Sequence, residues 1–559
     1  MKKTLLFSLL VVLPFSLFAQ DTHNYEVSRN LRLFNQIYKT LDLYYVDSLR
    51  PEQQIGEAID YMLAGLDPYT AYYPQDEAVD VQAIASGKYG GIGALIAYSE
   101  MYDMCIVSEP YANMPAAKAG VHAGDVILAI DSIEIGKRGT RRLDEYRSFV
   151  SGSLRGDPGT VINLRVDRPG VGELTFTFGR EIVNIPSVPF YTLLAGQTGY
   201  ILLTSFTNHS SQEVRQAFLS LKEQGAGSLI LDLRDNGGGL AGEAVNIVNL
   251  FVPKGKLILS LKGKTDDSRG AYYTKIDPED TDIPIVVLVN SGSASASEIT
   301  CGALQDLDRA VVMGERTFGK GLVQQPHEMQ DGGTLMLTTS HYYIPSGRCI
   351  QALDYYARQD RSDQIYRTPD SLTNVFRTAA GREVRDGGGI TPDVLAKTDS
   401  LPNLLLYLQN SSEVVEFIAR YRAQHPTIAS AGDFAISDQD YEDFKTFLSG
   451  STFTYDRQTY RALQELKKIA SFEGYDVTAA AELQALEEKL QHDVVADLDV
   501  WEKDVRNLLN QEICRAYYYE WGAYESQIKN DSMVSRAVEL LRDQDKYNGI
   551  LQPQDKSAK

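Results

Sequence analysis

The sequence predicts a multidomain α/β protein. Its parts are an α+β core built on a parallel sheet, an inserted β-rich domain, and helical regions at both ends. Three observations predict this. Between residues 183 and 398, short β-branched runs such as Ile285-Val286-Val287-Leu288-Val289 alternate with helix-period segments, the pattern of strands buried on both faces of a parallel sheet. Residues 83–182 are punctuated by glycine and read as short strands, whereas 21–82 and 399–559 repeat apolar residues at helical spacing. At 559 residues, 43% of them hydrophobic, the chain exceeds one ordinary domain and can fill three or four cores.

Residues 1–20 read as a secretory signal: Lys2 and Lys3, an apolar stretch from Leu5 to Phe18, and the small residue Ala19. Pro14 interrupts that stretch, which is short for a membrane span of ~20 residues. The expectation is export to the periplasm with no stable membrane anchor after cleavage. A lipid-anchored N-terminal cysteine is not expected, because the first cysteine is Cys105. The formal charge of −21 shows no basic patch that would favour nucleic acid. Cys105, Cys301, Cys349 and Cys514 lack metal-ligand or disulfide-framework spacing and are expected to be buried free thiols.

Residues 21–82 predict two helices. Phe34, Ile37, Tyr38, Leu41 and Tyr45 mark one, Ile55, Ala58, Ile59 and Met62 the other, and Leu66-Asp67-Pro68-Tyr69 ends the second. Gly90-Gly91-Ile92-Gly93-Ala94-Leu95-Ile96, then Pro115–Val121, Gly124–Ile127 and Arg155–Thr160, with Val161, Leu164 and Val166 alternating in a closing strand, resemble the carboxylate-binding loop and the later segments of a PDZ domain over residues 83–182. The resemblance implies that Gly91, Ile92, Gly93 and Ala94 hold a peptide's terminal carboxylate on backbone N–H groups, the peptide adding as a strand. A dinucleotide loop would need a third glycine where Ile96 stands.

Residues 183–398 carry the chemistry. The run Leu229–Leu233 leads into Arg234-Asp235-Asn236-Gly237-Gly238-Gly239. The run Ile285–Val289 leads into Gly292-Ser293-Ala294-Ser295-Ala296-Ser297-Glu298, which exposes a serine hydroxyl at a helix start. Lys320 follows Ser295 by 25 residues, between Gly319 and Gly321 and before Leu322-Val323-Gln324-Gln325. Serine needs a base to become nucleophilic, and lysine serves only when neutral. No Asp or Glu lies within four residues of Lys320. No Gly-x-Ser-x-Gly elbow surrounds Ser295, Glu298 stands where Ser-x-x-Lys would need lysine, and His327-Glu328 is followed by Asp331 rather than a second zinc-binding histidine.

These two stretches resemble the C-terminal processing peptidases, the tail-specific serine proteases of peptidase family S41, in residues and in spacing. The resemblance covers roughly residues 30–395. It implies a crotonase-like protease core, with Ser295 as nucleophile, Lys320 as general base and Gln324 as the residue orienting the lysine. The amides of Gly238, or of Gly237, and of Ala296 would hold the oxyanion. The implied function is a periplasmic serine endopeptidase that recognises free C-termini of exported proteins through its PDZ domain, without cofactor or metal. The rival readings are a non-catalytic PDZ peptide-binding scaffold and an acyl-thioester enzyme. Export argues against the latter, since coenzyme A is cytoplasmic.

Residues 352–387 separate the family-like Pro345-Ser346-Gly347-Arg348 and Gly389-Ile390-Thr391-Pro392-Asp393 segments and are expected to form an inserted surface excursion. Residues 399–559 are expected to form a separate helical domain. Its aromatic-dense Tyr517–Trp521 is read as core packing, with a dimer surface of a homo-oligomer left open.

Overall fold

A computed structural model describes residues 15–75, 88–352, 368–397, 401–475, 477–490 and 493–553. Residues 1–14 of the expected signal and 353–367 of the expected insertion lie outside the described residues. The chain divides into two units, residues 1–74 with 326–337, and residues 75–325 with 338–559. No helix among the described residues is long and apolar enough to cross a membrane.

The smaller unit holds helices Phe15–Tyr44 and Pro51–Ala64, and the strand Ala71–Tyr73 paired antiparallel with residues 334–336. The Asp67 carboxylate ends the second helix by accepting the amides of Tyr69 and Thr70, both at 2.8 Å, an Asx turn. Phe34, Ile37 and Leu41, the stripe expected to pack, are exposed.

In the larger unit, strand Lys88–Gly91 pairs antiparallel with Glu181–Asn184, which brings together the two ends of the inserted domain. Between them lies a sheet of Ala94–Ser99, Met104–Pro110, Val126–Ile130, Val161–Arg168 and Gly172–Gly179, with helix Leu143–Leu154 covering its apolar side. In the closing strand Leu164 and Val166 face inward as expected, and Val161 does not. Ile162 faces inward with them, while Val161 is exposed, because a period of two admits only one parity on each face.

The core is a six-stranded sheet in the order 190–194, 198–202, 228–232, 285–289, 311–314 and 394–395. The first strand is antiparallel to the second; all other neighbours are parallel. Both faces are covered, which explains the unbroken apolar runs. Leu229, Leu231, Ile285, Val287, Val289 and Val312 face the helices Ser210–Glu223, Ala241–Asn249 and Ala296–Asp306. Ile230, Val286, Leu288, Val311 and Met313 face Met533, Val534, Ala537, Leu541 and Tyr547. The helices Ser532–Arg542 and Gln544–Ile550, assigned above to a separate tail domain, therefore supply the second layer of the core.

The remaining tail forms its own helical core, which includes Leu408, Phe417, Tyr441, Phe444, Leu498, Val505, Leu509 and Ile513. Within the expected insertion, residues 368–387 lie mostly at the surface, as expected, but Thr378 and Val384 are buried and one side chain anchors the segment inward. Arg382 is largely buried, paired with Asp308 at 2.6 Å and with Asp393, and donates to the Gln305 carbonyl at 3.0 Å. Composition suggested solvent; carboxylate and carbonyl partners distant in sequence hold the guanidinium inside. The four cysteines are unpaired; Cys105, Cys301 and Cys514 are buried and Cys349 is half-buried.

Candidate functional site

Three turns leave the carboxyl ends of three adjacent parallel strands, Ser228–Asp232, Ile285–Val289 and Val311–Gly314, where open parallel sheets place their ligand sites. The first turn carries Gly238, the second Ser295, the third Lys320.

The first two turns are stitched together by side chains. Asn236, fully buried, donates to the Leu203 carbonyl at 2.7 Å, and its own carbonyl accepts the Ala294 amide at 3.0 Å and the Ser297 hydroxyl at 2.8 Å. The Ser293 hydroxyl donates to the Leu233 carbonyl at 2.8 Å. Asn290 takes the Asp235 amide and returns a bond to its carboxylate, both at 2.9 Å. Gly238 has φ of 102°, and a Cβ there would lie 2.8 Å from the Ser295 Cβ and 2.9 Å from the Ala296 nitrogen. Only glycine allows that approach. The Gly238 amide donates to the Asn236 side-chain oxygen at 2.9 Å, so it is already engaged.

Ser295 precedes helix Ala296–Asp306 with φ 54° and ψ −113°, a backbone setting that L residues seldom adopt and that concentrates at functional turns. It is half-buried, whereas Ala294 and Ala296 on either side are buried. Ala296 is the first helical residue, where amides lack intrahelical acceptors.

Two side chains fix the third turn against the second. The Tyr342 hydroxyl donates to the carbonyl of Ser295, at 3.2 Å, and to that of Lys320. The Glu298 carboxylate, fully buried, accepts the Ser295 amide at 2.9 Å, the Gly319 amide at 2.7 Å, the Lys320 amide at 2.8 Å and the Thr317 hydroxyl. Burial pushes its carboxyl up to about 7, against the downward pull of those donors. Gly319 and Gly321 flank Lys320 because the chain at 351–352 passes against them: added Cβ atoms would lie 2.2 Å from the Ala352 Cβ and 2.7 Å from the Gln351 nitrogen. Gln324 donates to the Thr338 hydroxyl at 3.0 Å.

The site thus gathers the turns of Ser295, Lys320, Gly238 and Ala296. Glu298, Asn236 and Tyr342 are the residues that sequence reasoning assigned no role. Glu298 had a signal, since Ser-x-x-Glu is the spacing of a helix capping box. The partners of Asn236 and Tyr342 lie too far along the chain for a local pattern to reveal them.

Of the PDZ loop, Ile92 is buried, and the carbonyls of Ile92 and Gly93 accept the amides of Ala116 and Tyr111, both at 2.9 Å. Gly93 has φ of 72°, and a Cβ there would lie 2.3 Å from the Met114 Cβ. Gly91 ends the strand paired with Glu181–Asn184, and Ala94 begins the strand paired with Met104–Pro110.

Comparison with known proteins gives three matched regions: residues 197–355 match peptidase family S41, residues 106–168 a PDZ domain, and residues 404–541 a probable PDZ-protease C-terminal helical domain. A carboxy-terminal-processing protease of Bartonella bacilliformis is 33% identical over 350 residues, 62% of this chain and 77% of the relative. A probable CtpA-like serine protease of Staphylococcus aureus is 36% identical over 325 residues, 57% of this chain and 62% of that relative, less than two thirds of its length. Among solved structures, a photosystem II D1 C-terminal processing protease is 28% identical, covering 68% of this chain and 90% of the other, with a TM-score of 0.35.

Proposed function

The chain belongs to peptidase family S41, as a carboxy-terminal-processing serine peptidase with a PDZ domain, and from that premise we propose that it is a periplasmic endopeptidase that uses Ser295 and Lys320 to cleave exported proteins captured by their free C-termini. The observation that carries the reading is the tie, through Glu298 and Tyr342, between the Ser295 and Lys320 turns at the ends of neighbouring strands.

In this mechanism the neutral Lys320 amine takes the Ser295 proton as the serine oxygen bonds to the scissile carbonyl carbon. The negative charge moves to the carbonyl oxygen, which faces the Ala296 amide at the helix N-terminus. A second donor comes from the Gly237–Gly239 turn once the Gly238 amide leaves Asn236. Collapse breaks the C–N bond, and the departing amine takes the proton from the Lys320 ammonium. Water then attacks the acyl-serine, Lys320 again accepting a proton and returning it to Ser295. Gln324 orients the lysine through its place on the following strand. The crotonase-like reading of the core is supported by the parallel order of strands 198–202 to 311–314. The expected export signal in residues 1–20 is what favours the periplasmic location.

The test is terminal peptide mapping of exported proteins from cells carrying the wild type or Ser295→Ala. New C-termini that depend on Ser295 are expected; identical termini in the two strains refute the reading.

A further inference from the structure

One continuous line of contacts joins the PDZ domain to the candidate oxyanion turn, and it runs through the tail. At one end Arg515 donates to Glu109 at 2.8 Å, with both side chains largely buried. Glu109 lies on the strand Met104–Pro110, two residues before Tyr111, whose amide holds the Gly93 carbonyl of the peptide-binding loop. At the other end Asp531 accepts Arg234 at 2.7 Å. The same guanidinium grips Asp232, with its Nε 3.0 Å from each carboxylate oxygen, at the root of the turn that carries Gly238. A second contact line runs beside the first. The Trp521 ring meets Phe190 at 4.9 Å and Tyr191 at 5.6 Å; Phe190 meets Tyr200 at 6.1 Å; and the Tyr200 hydroxyl donates to Asp232 at 2.8 Å.

Between the two ends the helix Glu502–Ile528 is broken at Tyr519, with φ 59° and ψ −157°. A bulky residue holds such a setting only where its surroundings over-determine it. Glu109 meets Glu512 and Glu520 as well as Arg515, whose guanidinium pairs with Glu109 and Glu512, and the Glu520 Oε1 is buried with no hydrogen-bond partner among the described residues. Burial pushes the Glu109 carboxyl up to about 7 despite Arg515. The PDZ end of this line is therefore the poorly satisfied one, and the Asp531 end the well-satisfied one: Asp531 also caps helix Ser532–Arg542 by accepting the amides of Met533 and Val534.

We propose that the segment Arg515–Asp531 is a strut that ties the PDZ domain to the Asp232–Gly239 turn and sets the position of that turn. The proposal rests on the peptidase reading for its functional meaning, but the strut is a physical link whether or not the enzyme turns over. Asp531 and Arg515 are positioning residues; neither touches substrate.

Asp531→Asn separates the roles of Asp531, because asparagine still caps the helix while the charge facing Arg234 is lost. Glu109→Gln removes a strained buried charge rather than stranding one, so the chain should fold. Hydrogen exchange in the full-length protein is read over residues 232–240. Both variants are expected to exchange there at least about threefold faster than wild type, Glu109→Gln doing so from the far end of the strut, with the thermal midpoint within a few degrees. Wild-type protection of this segment in Glu109→Gln overturns the strut. Turnover supplies a second readout: each variant lowers kcat about tenfold with KM little changed, and the double variant is no worse than the worse single one. Losses that multiply show independent damage and also overturn it. Ser295→Ala separates the two ideas, since it keeps wild-type exchange while losing cleavage. Cleavage that survives in Ser295→Ala refutes the peptidase reading, and the exchange data still decide the strut.

Discussion

The Lys320 amide donates to Glu298 Oε2 at 2.8 Å, and the same oxygen accepts the Ser295 amide at 2.9 Å. One carboxylate oxygen thus sets the spacing of the two turns on which the proposed chemistry depends. Glu298→Gln puts an NH₂ group among four donors, so a buried clash of donors replaces a set of hydrogen bonds. The expected cost is ~1–3 kcal/mol in unfolding free energy and at least about tenfold in cleavage rate. The folded chain holds the Glu298 proton more tightly than the unfolded chain, whose carboxyl sits near 4.5. The stability this gives is complete below that value and is lost as pH rises towards about 7. Urea unfolding at pH 5 and pH 8 should show a larger drop for wild type than for Glu298→Gln.

Ser295→Ala and Lys320→Ala are expected to fold normally and to lose cleavage by roughly 10³-fold or more. The check is turnover of an unfolded protein substrate by variants with wild-type melting curves. Near-normal turnover by either would end the assignment of that residue.

Much of this was legible in the sequence, for identifiable reasons. The run Ile285–Val289 is a strand with the expected bounds, because five consecutive apolar residues fit a strand buried on both faces. Ser295 and Lys320 were visible because turn glycines and small residues mark them. The places of Arg382 and Asp531 were not visible. Each is a charged residue in a polar segment, and what buries it is a partner 74 or 297 positions away. The core's second layer was hidden for a related reason. Met533, Val534, Ala537 and Leu541 show a helix with an apolar face, but periodicity does not say which surface that face covers.

If the PDZ loop reads a terminal carboxylate, amidating the substrate's C-terminus should weaken capture about tenfold or more, since a charge-assisted hydrogen bond contributes ~1.5–3 kcal/mol. The measurement is kcat/KM for one peptide made with free and amidated ends. The chemical change in the substrate is the cleaner arm. Gly93→Val would set a Cβ against Met114 at positive φ and so distort the loop itself.

Arg382→Ala leaves Asp308 and Asp393 buried without their shared cation, at the end of the helix that Ser295 begins. The expected destabilisation is ~3–5 kcal/mol, read as a lowered urea midpoint. A neutral result would show that the Arg382 anchor does not hold residues 368–387 to the core.

The helices Ser532–Arg542 and Gln544–Ile550 close the back of the sheet, and the Tyr547 hydroxyl engages both the amide and the carbonyl of Ile285, at 2.9 Å each, where the strand leading to Ser295 begins. A chain still being made has every residue named in the mechanism before it has these helices. Its sheet would present Ile230, Val286, Leu288 and Val311 to water and could not hold the Ser295 turn. The ability to hold the Ser295 turn therefore arrives only with residues 532–550, after every residue named in the mechanism has been made.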